Sequence, residues 1–254
     1  MTLTVTDNVG VTATATGSIN VNAHVGGLWL GMGQASVRSV ETDVQGIVAE
    51  DGRAYFALGS LMLWGNVAAF GDLISGHITG TPIGLPPLDS FTGFNLRSLD
   101  GSIEERTSID ANACSQDPYP GYCLDFPQYY GPLLALAYQS SYDDDSSLTL
   151  VAGTYLEARG QPDGVLNIAE NGDLFLQDPA SGCVINGHVA IIDPDYNAYG
   201  LELSYDNCTD PVLNGATFSG LATYNGQAKE LTALVQGTLA GGAIAANSYL
   251  FVRQ

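Results

Sequence analysis

The segment DPDYN at 193–197 sets Asp193, Asp195 and Asn197 at alternate positions, the opening of a D-x-D-x-N calcium loop. Side-chain oxygens at that spacing can wrap a hard cation in a tight turn. The rest of the loop departs from the pattern. Ala198 stands where the sixth position wants glycine, and Ser204 where the twelfth wants a bidentate glutamate. Asp, Asn and Pro are also the ordinary residues of turns, so a bare turn competes with a cation site. The run YDDDSS at 142–147, with Asp143, Asp144 and Asp145, carries the same two readings. Calcium is a candidate ligand, and no other cofactor is indicated.

Other chemistry-bearing residues are sparse. His24, His77 and His188 are the only histidines. His77 and His188 each follow a glycine, in GHI and GHV, which reads as one structural position written twice. Neither a G-x-S-x-G nucleophile elbow nor a glycine loop with a phosphate-binding lysine occurs. Glu157, Glu170, Glu202 and Glu230 fall in or beside strand-like segments. A pair of acids on facing strands would suit glycoside hydrolysis, but acids next to turns are usually surface residues. No catalytic residue is assigned.

The aromatic residues are the better recognition candidates. Trp29 and Trp64 could form a stacking platform for a sugar ring inside a barrel, or simply fill its core. DPYPGYCLDFPQYYGP at 117–132 is a long Tyr- and Pro-rich loop, with Tyr119, Tyr122, Tyr129 and Tyr130 as candidate ligand contacts.

Composition narrows the partners. The chain has 27 acidic residues against 7 basic ones, a net charge of −20, yet only 13% charged residues in all. Such a surface repels nucleic acid and anionic membrane. It suits a protein outside the cell, where salt screens the repulsion. No apolar run of membrane-spanning length occurs, so helical membrane insertion is not expected. Hydrophobic residues at 45% are enough for a packed core.

Four cysteines allow three pairings. The favoured one joins Cys114 to Cys123 and Cys183 to Cys208, each closing a local element. None has zinc-ligand spacing, so disulfides in an oxidising compartment are expected.

The elements that must position these residues are strands. Residues 1–22 alternate polar and apolar about a break at DNVG and read as a β-ribbon, with 23–26 a linker. Beyond Gly27 the chain repeats itself. GLWLGMG (27–33) matches GTYLEARG (153–160), AEDG (49–52) matches AENG (169–172), GHI (76–78) matches GHV (187–189), and FTGF (91–94) matches FSGL (218–221). Helical periodicity is nearly absent. In the first half, 90–98 and 101–108 read as separate strands. The expected fold is all-β: two internally repeated antiparallel meanders, at 27–150 and 151–254, each a lipocalin- or streptavidin-sized barrel or half-barrel. One larger shared barrel or sandwich is the alternative.

The ending TLTVTD, then a short turn, then ATATxxINV resembles the last two strands of a PKD-type (immunoglobulin-like) domain. Residues 27–254 resemble exported β-rich proteins and lipoproteins of Gram-negative bacteria. The resemblance is carried by YDDDSSLTLVAGTYL, LNIAENGDLFLQDPASGCVINGHVAIIDPDYNAYGLELSYDNC and LNGATFSGLATY, with Gly182-Cys183, Asn197, Tyr199 and Cys208 at the pattern positions. It implies a bacterial, exported barrel and no particular chemistry. No lipobox cysteine is present. The start at Met1 reads as a cut from a longer exported precursor.

The expected function is a non-catalytic binding or adhesion module, secreted, at the cell surface or in the periplasm. Its expected partner is a glycan or a surface protein. The alternatives are a subunit of a homo-assembly in which residues 1–22 complete a neighbour's sheet, and an enzyme acting on polysaccharide.

Overall fold

A computed structural model describes residues 2–6, 12–16, 24–34, 40–84, 98–114, 133–158, 164–179 and 181–254. Strands β1 (Thr2–Thr6) and β2 (Thr12–Thr16) pair antiparallel as a two-stranded ribbon, with Thr4 opposite Thr14. Eight strands follow: β3 (Gly27–Gln34), β4 (Thr42–Val48), β5 (Arg53–Leu58), β6 (Leu61–Phe70), β7 (Leu73–Pro82), β8 (Ser98–Glu104), β9 (Ser108–Cys114) and β10 (Leu133–Gln139). They form an up-and-down meander that closes where β10 pairs with β3, Leu136 opposite Gly31.

A 3-10 turn (Ser140–Asp143) and a single helical turn (Leu148–Val151), capped by the Ser147 hydroxyl on the Leu150 N–H, lead into the second meander. It comprises β11 (Gly153–Glu157), β12 (Val165–Ile168), β13 (Asp173–Gln177), β14 (Val184–Ile191), β15 (Tyr199–Asp206), β16 (Thr217–Asn225), β17 (Glu230–Thr238) and β18 (Ile244–Arg253). This barrel closes through β11 and β18, Leu156 opposite Val252. The fold is therefore two closed eight-stranded antiparallel barrels in tandem.

The duplication is visible bond by bond. In the β4–β5 turn, Gly52 N–H donates to Ala49 O, Ala49 N–H to Arg53 O, and Val67 N–H to Gly52 O. In the β12–β13 turn, Gly172 donates to Ala169, Ala169 to Asp173, and Val189 to Gly172. Asp51 and Asn171 each accept from the backbone two residues on, at 3.1 Å in both turns. Gly52 and Gly172 sit at φ +86° and +88°, which is why both copies spell D/N-G.

The same bonds correct one sequence match. Val67 corresponds to Val189, so the counterpart of His188 on β14 is Asn66 on β6. His77 lies on β7, opposite Asn66, and occupies the place that Glu202 takes opposite His188. The GHI/GHV triplet joined non-equivalent strands. A second correction concerns 101–108: the chain turns there between β8 and β9, with Arg106 at φ 53°. Of the segment 90–98, only Ser98 is described, and it opens β8; FTGF lies outside the described residues.

Both barrels are filled by their inward side chains. Trp29, Phe56, Leu63, Ile78, Leu99 and Ile109 pack the first. Tyr155, Leu176, Ile185, Leu203, Phe218 and Phe251 pack the second. Tyr205 and Tyr249, both buried in the second barrel, satisfy each other's hydroxyls at 2.8 Å. Burial pushes both phenols up, Tyr249 to about 12. Cys183 and Cys208 are disulfide-bonded, tying the start of β14 to the loop after β15. Val25, in the segment read as a linker, joins the first core.

The barrels pack side by side through a third apolar cluster. Leu28, Ile47, Tyr55 and Met62 of the first barrel meet Leu221, Leu234 and Ala246 of the second. Each buried Leu, Ile or Met there contributes about 1.5–3 kcal/mol. Polar bonds fix the angle: Tyr55 OH donates to Ser219 O (3.4 Å), Gln45 Nε2 to Thr232 Oγ1 (3.2 Å), and Gly84 N–H to Ala246 O (2.9 Å).

Candidate binding surfaces on the barrel exteriors

Because side chains occupy both interiors, the open concavities lie outside. The residues read from the sequence as site candidates are distributed as follows. Trp29 is fully buried in the first barrel and meets Tyr138 edge-on, ring centroids 5.3 Å apart. Trp64 is half-buried on the outer wall of β6, against the inter-barrel cluster, and its indole N–H donates to Thr81 Oγ1 at 3.1 Å. Tyr119, Tyr122, Tyr129, Tyr130 and Cys123 lie outside the described residues, as does the Cys114–Cys123 pairing; Cys114 ends β9.

The 193–197 segment does not bring its three oxygens together. Asp193 Oδ1 accepts from the Asp195 N–H at 3.0 Å, a local turn. Asn197 points inward and is 2% exposed. Its amide donates to Ser141 O (3.0 Å) and Tyr224 O (2.7 Å), and its oxygen accepts from Tyr224 N–H (3.0 Å). Asn197 is thus a strut joining the inter-barrel connection, the β14–β15 loop and β16. Among the described residues, no group of three or more His, Cys, Asp or Glu side chains could hold a metal ion.

A cluster at the barrel junction was not anticipated from the sequence. Tyr142 stacks on Tyr196, centroids 5.4 Å apart, and Arg106 lies over the outer ring at 5.8 Å. Arg106 pairs with Asp143 at 2.8 Å, and Asp143 also accepts from Tyr138 OH at 2.8 Å. His24 Nδ1 meets Glu50 at 2.9 Å. Burial, then the neighbouring Glu50 carboxylate, pushes the Tyr142 phenol far up. Burial and the bond to Asp143 do the same for Tyr138. The Tyr142 hydroxyl and Glu50 Oε1 are buried side by side, and their interaction adds to the rise of the phenol. This cluster cements the two barrels.

Two concavities flank the junction. The first, about 580 Å³, lies on the outer face of β14, β15, β16 and β17. Its walls are Asn186, His188, Glu202, Ser204, Thr217, Ser219, Gln236 and Thr238, all outward residues of adjacent strands in register. The wall is concave because Gly187 and Gly237 take inward positions. A Cβ on either would come within 2.3 Å of a neighbouring carbonyl, Glu202 O or Thr217 O, so the strand sinks toward the interior there. Gln236 Nε2 donates to Ser219 Oγ at 3.3 Å, and Tyr55 from the first barrel reaches Ser219 at one end. Burial raises the Tyr55 phenol, partly offset by its bonds to Ser219 and Gln236. The groove thus presents hydroxyl, amide, imidazole and carboxylate groups on one surface, able to donate and accept in turn.

The second concavity, about 1020 Å³, is the cleft between the barrels, with β3 and β4 on one side and β17 and β18 on the other. It mixes apolar and acidic side chains.

Comparison of the chain with protein-family models, with curated proteins and with solved structures finds no match.

Proposed function

We propose that this chain is a non-catalytic extracellular binding module that holds a glycan on the outer face of its second barrel. The observation that carries this reading is the 580 Å³ groove, whose polar lining side chains are hydroxyls and amides with one carboxylate and one imidazole. A sugar hydroxyl both donates and accepts, so a surface alternating such groups matches it without charge. The volume lies in the usual range of ligand pockets, roughly 300–1,000 Å³. Recognition would rest on the hydrogen-bonding lattice rather than on stacking, since Phe218, the one aromatic lining residue, is 2% exposed. The Cys183–Cys208 bond and the acidic composition support a secreted, cell-surface or periplasmic setting.

Binding of the labelled protein to a broad glycan array tests the reading. Asn186→Ala with Gln236→Ala is expected to weaken any hit. Each lost hydrogen bond costs about 0.5–1.5 kcal/mol, or roughly 2- to 10-fold in affinity. The groove excludes Asp193 and Asp195, so chelating calcium should leave binding unchanged; a hit abolished by EDTA would move the site to the 193–195 turn. An array left blank by folded protein would count against glycan recognition.

A second reading is favoured by the ribbon. Among the described residues, β1 and β2 each pair only with the other, which leaves an outer edge on both. An isolated two-stranded ribbon is marginal, and a free edge can accept a strand. In an assembly built this way, light scattering would report multimers that vanish on deleting residues 1–22. A monomer before and after the deletion would exclude it.

A further inference from the structure

The inter-barrel cleft lies toward the other end of β17 from the polar groove, and its chemistry differs. Leu30 and Met32 occupy successive outward positions on β3 and remain 37% and 38% exposed. Leu250 and Ile83 face the same space from β18 and from just beyond β7. Two carboxylates border this apolar strip, Asp43 on β4 of the first barrel and Glu230 on β17 of the second. Neither is ion-paired among the described residues, and Lys229, next in sequence to Glu230, makes no bridge to it. The Gln45–Thr232 hydrogen bond, 3.2 Å long, links the two walls and holds the cleft at a fixed width.

From this arrangement we infer that the cleft is a second binding site, for a low-molecular-mass amphiphile with an apolar chain and an ammonium head. Each part of the site matches one part of such a ligand. The apolar strip takes the chain, since an exposed apolar patch rimmed by polar groups gains by being covered. Asp43 and Glu230, one from each barrel, both line the cleft; they favour a cationic head and disfavour an anion in a chain whose net charge is already −20. Beside the cleft, the Ala246 carbonyl of β18 already accepts from Gly84 N–H of the first barrel. The apolar strip and the two carboxylates together match a compact amphiphile.

The test is calorimetric titration of the full chain with decylammonium below its micelle concentration, with decanoate and methylammonium as controls. Decylammonium should saturate a single site. Decanoate, with the same tail and the opposite charge, should bind at least about 10-fold more weakly. Methylammonium, lacking the tail, should give no saturable heat. Asp43→Asn with Glu230→Gln removes two partly exposed charge contacts and should weaken decylammonium about 2- to 30-fold. Met32→Gln should weaken decylammonium and decanoate alike. Circular-dichroism melts matching the parent would confirm that the variants fold. The inference is overturned if decanoate binds as well as decylammonium, if the double variant binds like the parent, or if no saturable heat appears. It is overturned equally if a short Lys-Leu peptide binds where decylammonium does not. Neither Asn186 nor Gln236 lines this cleft, so the glycan reading stands or falls separately.

Discussion

Asn197→Asp separates a structural strut from a cation ligand more sharply than any other single change. The carboxyl has the same shape as the amide but cannot donate at neutral pH. Ser141 O and Tyr224 O, now bonded at 3.0 and 2.7 Å, would each lose a donor and face a carboxylate oxygen. A buried polar group left without its partner costs about 1–3 kcal/mol, so the two together cost about 2–6 kcal/mol. For a chain of this size that lowers Tm by roughly 5–20 °C. Urea unfolding should show the loss as a lower midpoint with an unchanged slope. The pH dependence follows from the same geometry. Burial among carbonyls raises the pKa of the new carboxyl above its unfolded value of about 3.9. The deficit is therefore greatest above the raised native pKa, and it shrinks as pH falls toward the unfolded value, because the protonated acid can restore one donated bond. A calcium loop predicts the reverse, since an Asp at this position adds a charged ligand and stability would rise with added calcium. Parent-like stability in the variant, or a calcium-dependent gain in Tm, would refute the strut.

Four further outcomes follow from the same packing. Replacing Cys183 and Cys208 together by Ser opens a 25-residue loop. The unfolded chain then gains entropy worth about 3.5 kcal/mol, to be read by urea unfolding of parent and variant. Gly172→Ala places a Cβ 2.4 Å from Val189 O at φ +88°, and should cost at least about 1–3 kcal/mol in the same assay. Tyr142→Phe takes the phenol away from the buried Glu50 oxygen beside it and should cost about 1–3 kcal/mol in the same assay. Tyr205→Phe removes the 2.8 Å partner of the buried Tyr249 hydroxyl and should cost about 0.5–1.5 kcal/mol in thermal or urea melts.

The strand pattern was legible because alternation is local. VLNI, DLFLQ and VINGHVAI each declare an inward face within a few residues, and their turns announce themselves with D/N-G. The duplicated AEDG and AENG turns proved equivalent down to their hydrogen bonds. The GH triplet misled because three residues cannot fix register, whereas the Val67–Gly52 and Val189–Gly172 bonds do. The junction left one signal that was not used. TFSGLATYN and ELTALVQGT are apolar on both faces through Leu221 and Leu234, which marks a wall buried inside and out. The polar groove left no such mark, since its Ser, Thr, Asn and Gln are what any solvated barrel wall carries. Only the pairing of four strands gathers them. Asn197, read as a cation ligand, illustrates the same limit. Its spacing was visible, but the direction of its side chain was set by Tyr224, distant in sequence.

Amide chemical-shift mapping is the decisive check on glycan binding at the outer wall of the second barrel. The deuterated, 15N-labelled chain would be titrated with the best ligand from the glycan array. Saturable shifts are expected, confined to 186–188, 202–204, 217–219 and 236–238, the stretches that line the groove. Shifts centred instead on inward residues such as Leu176, Ile185 and Phe251, or spread without saturation, would contradict it.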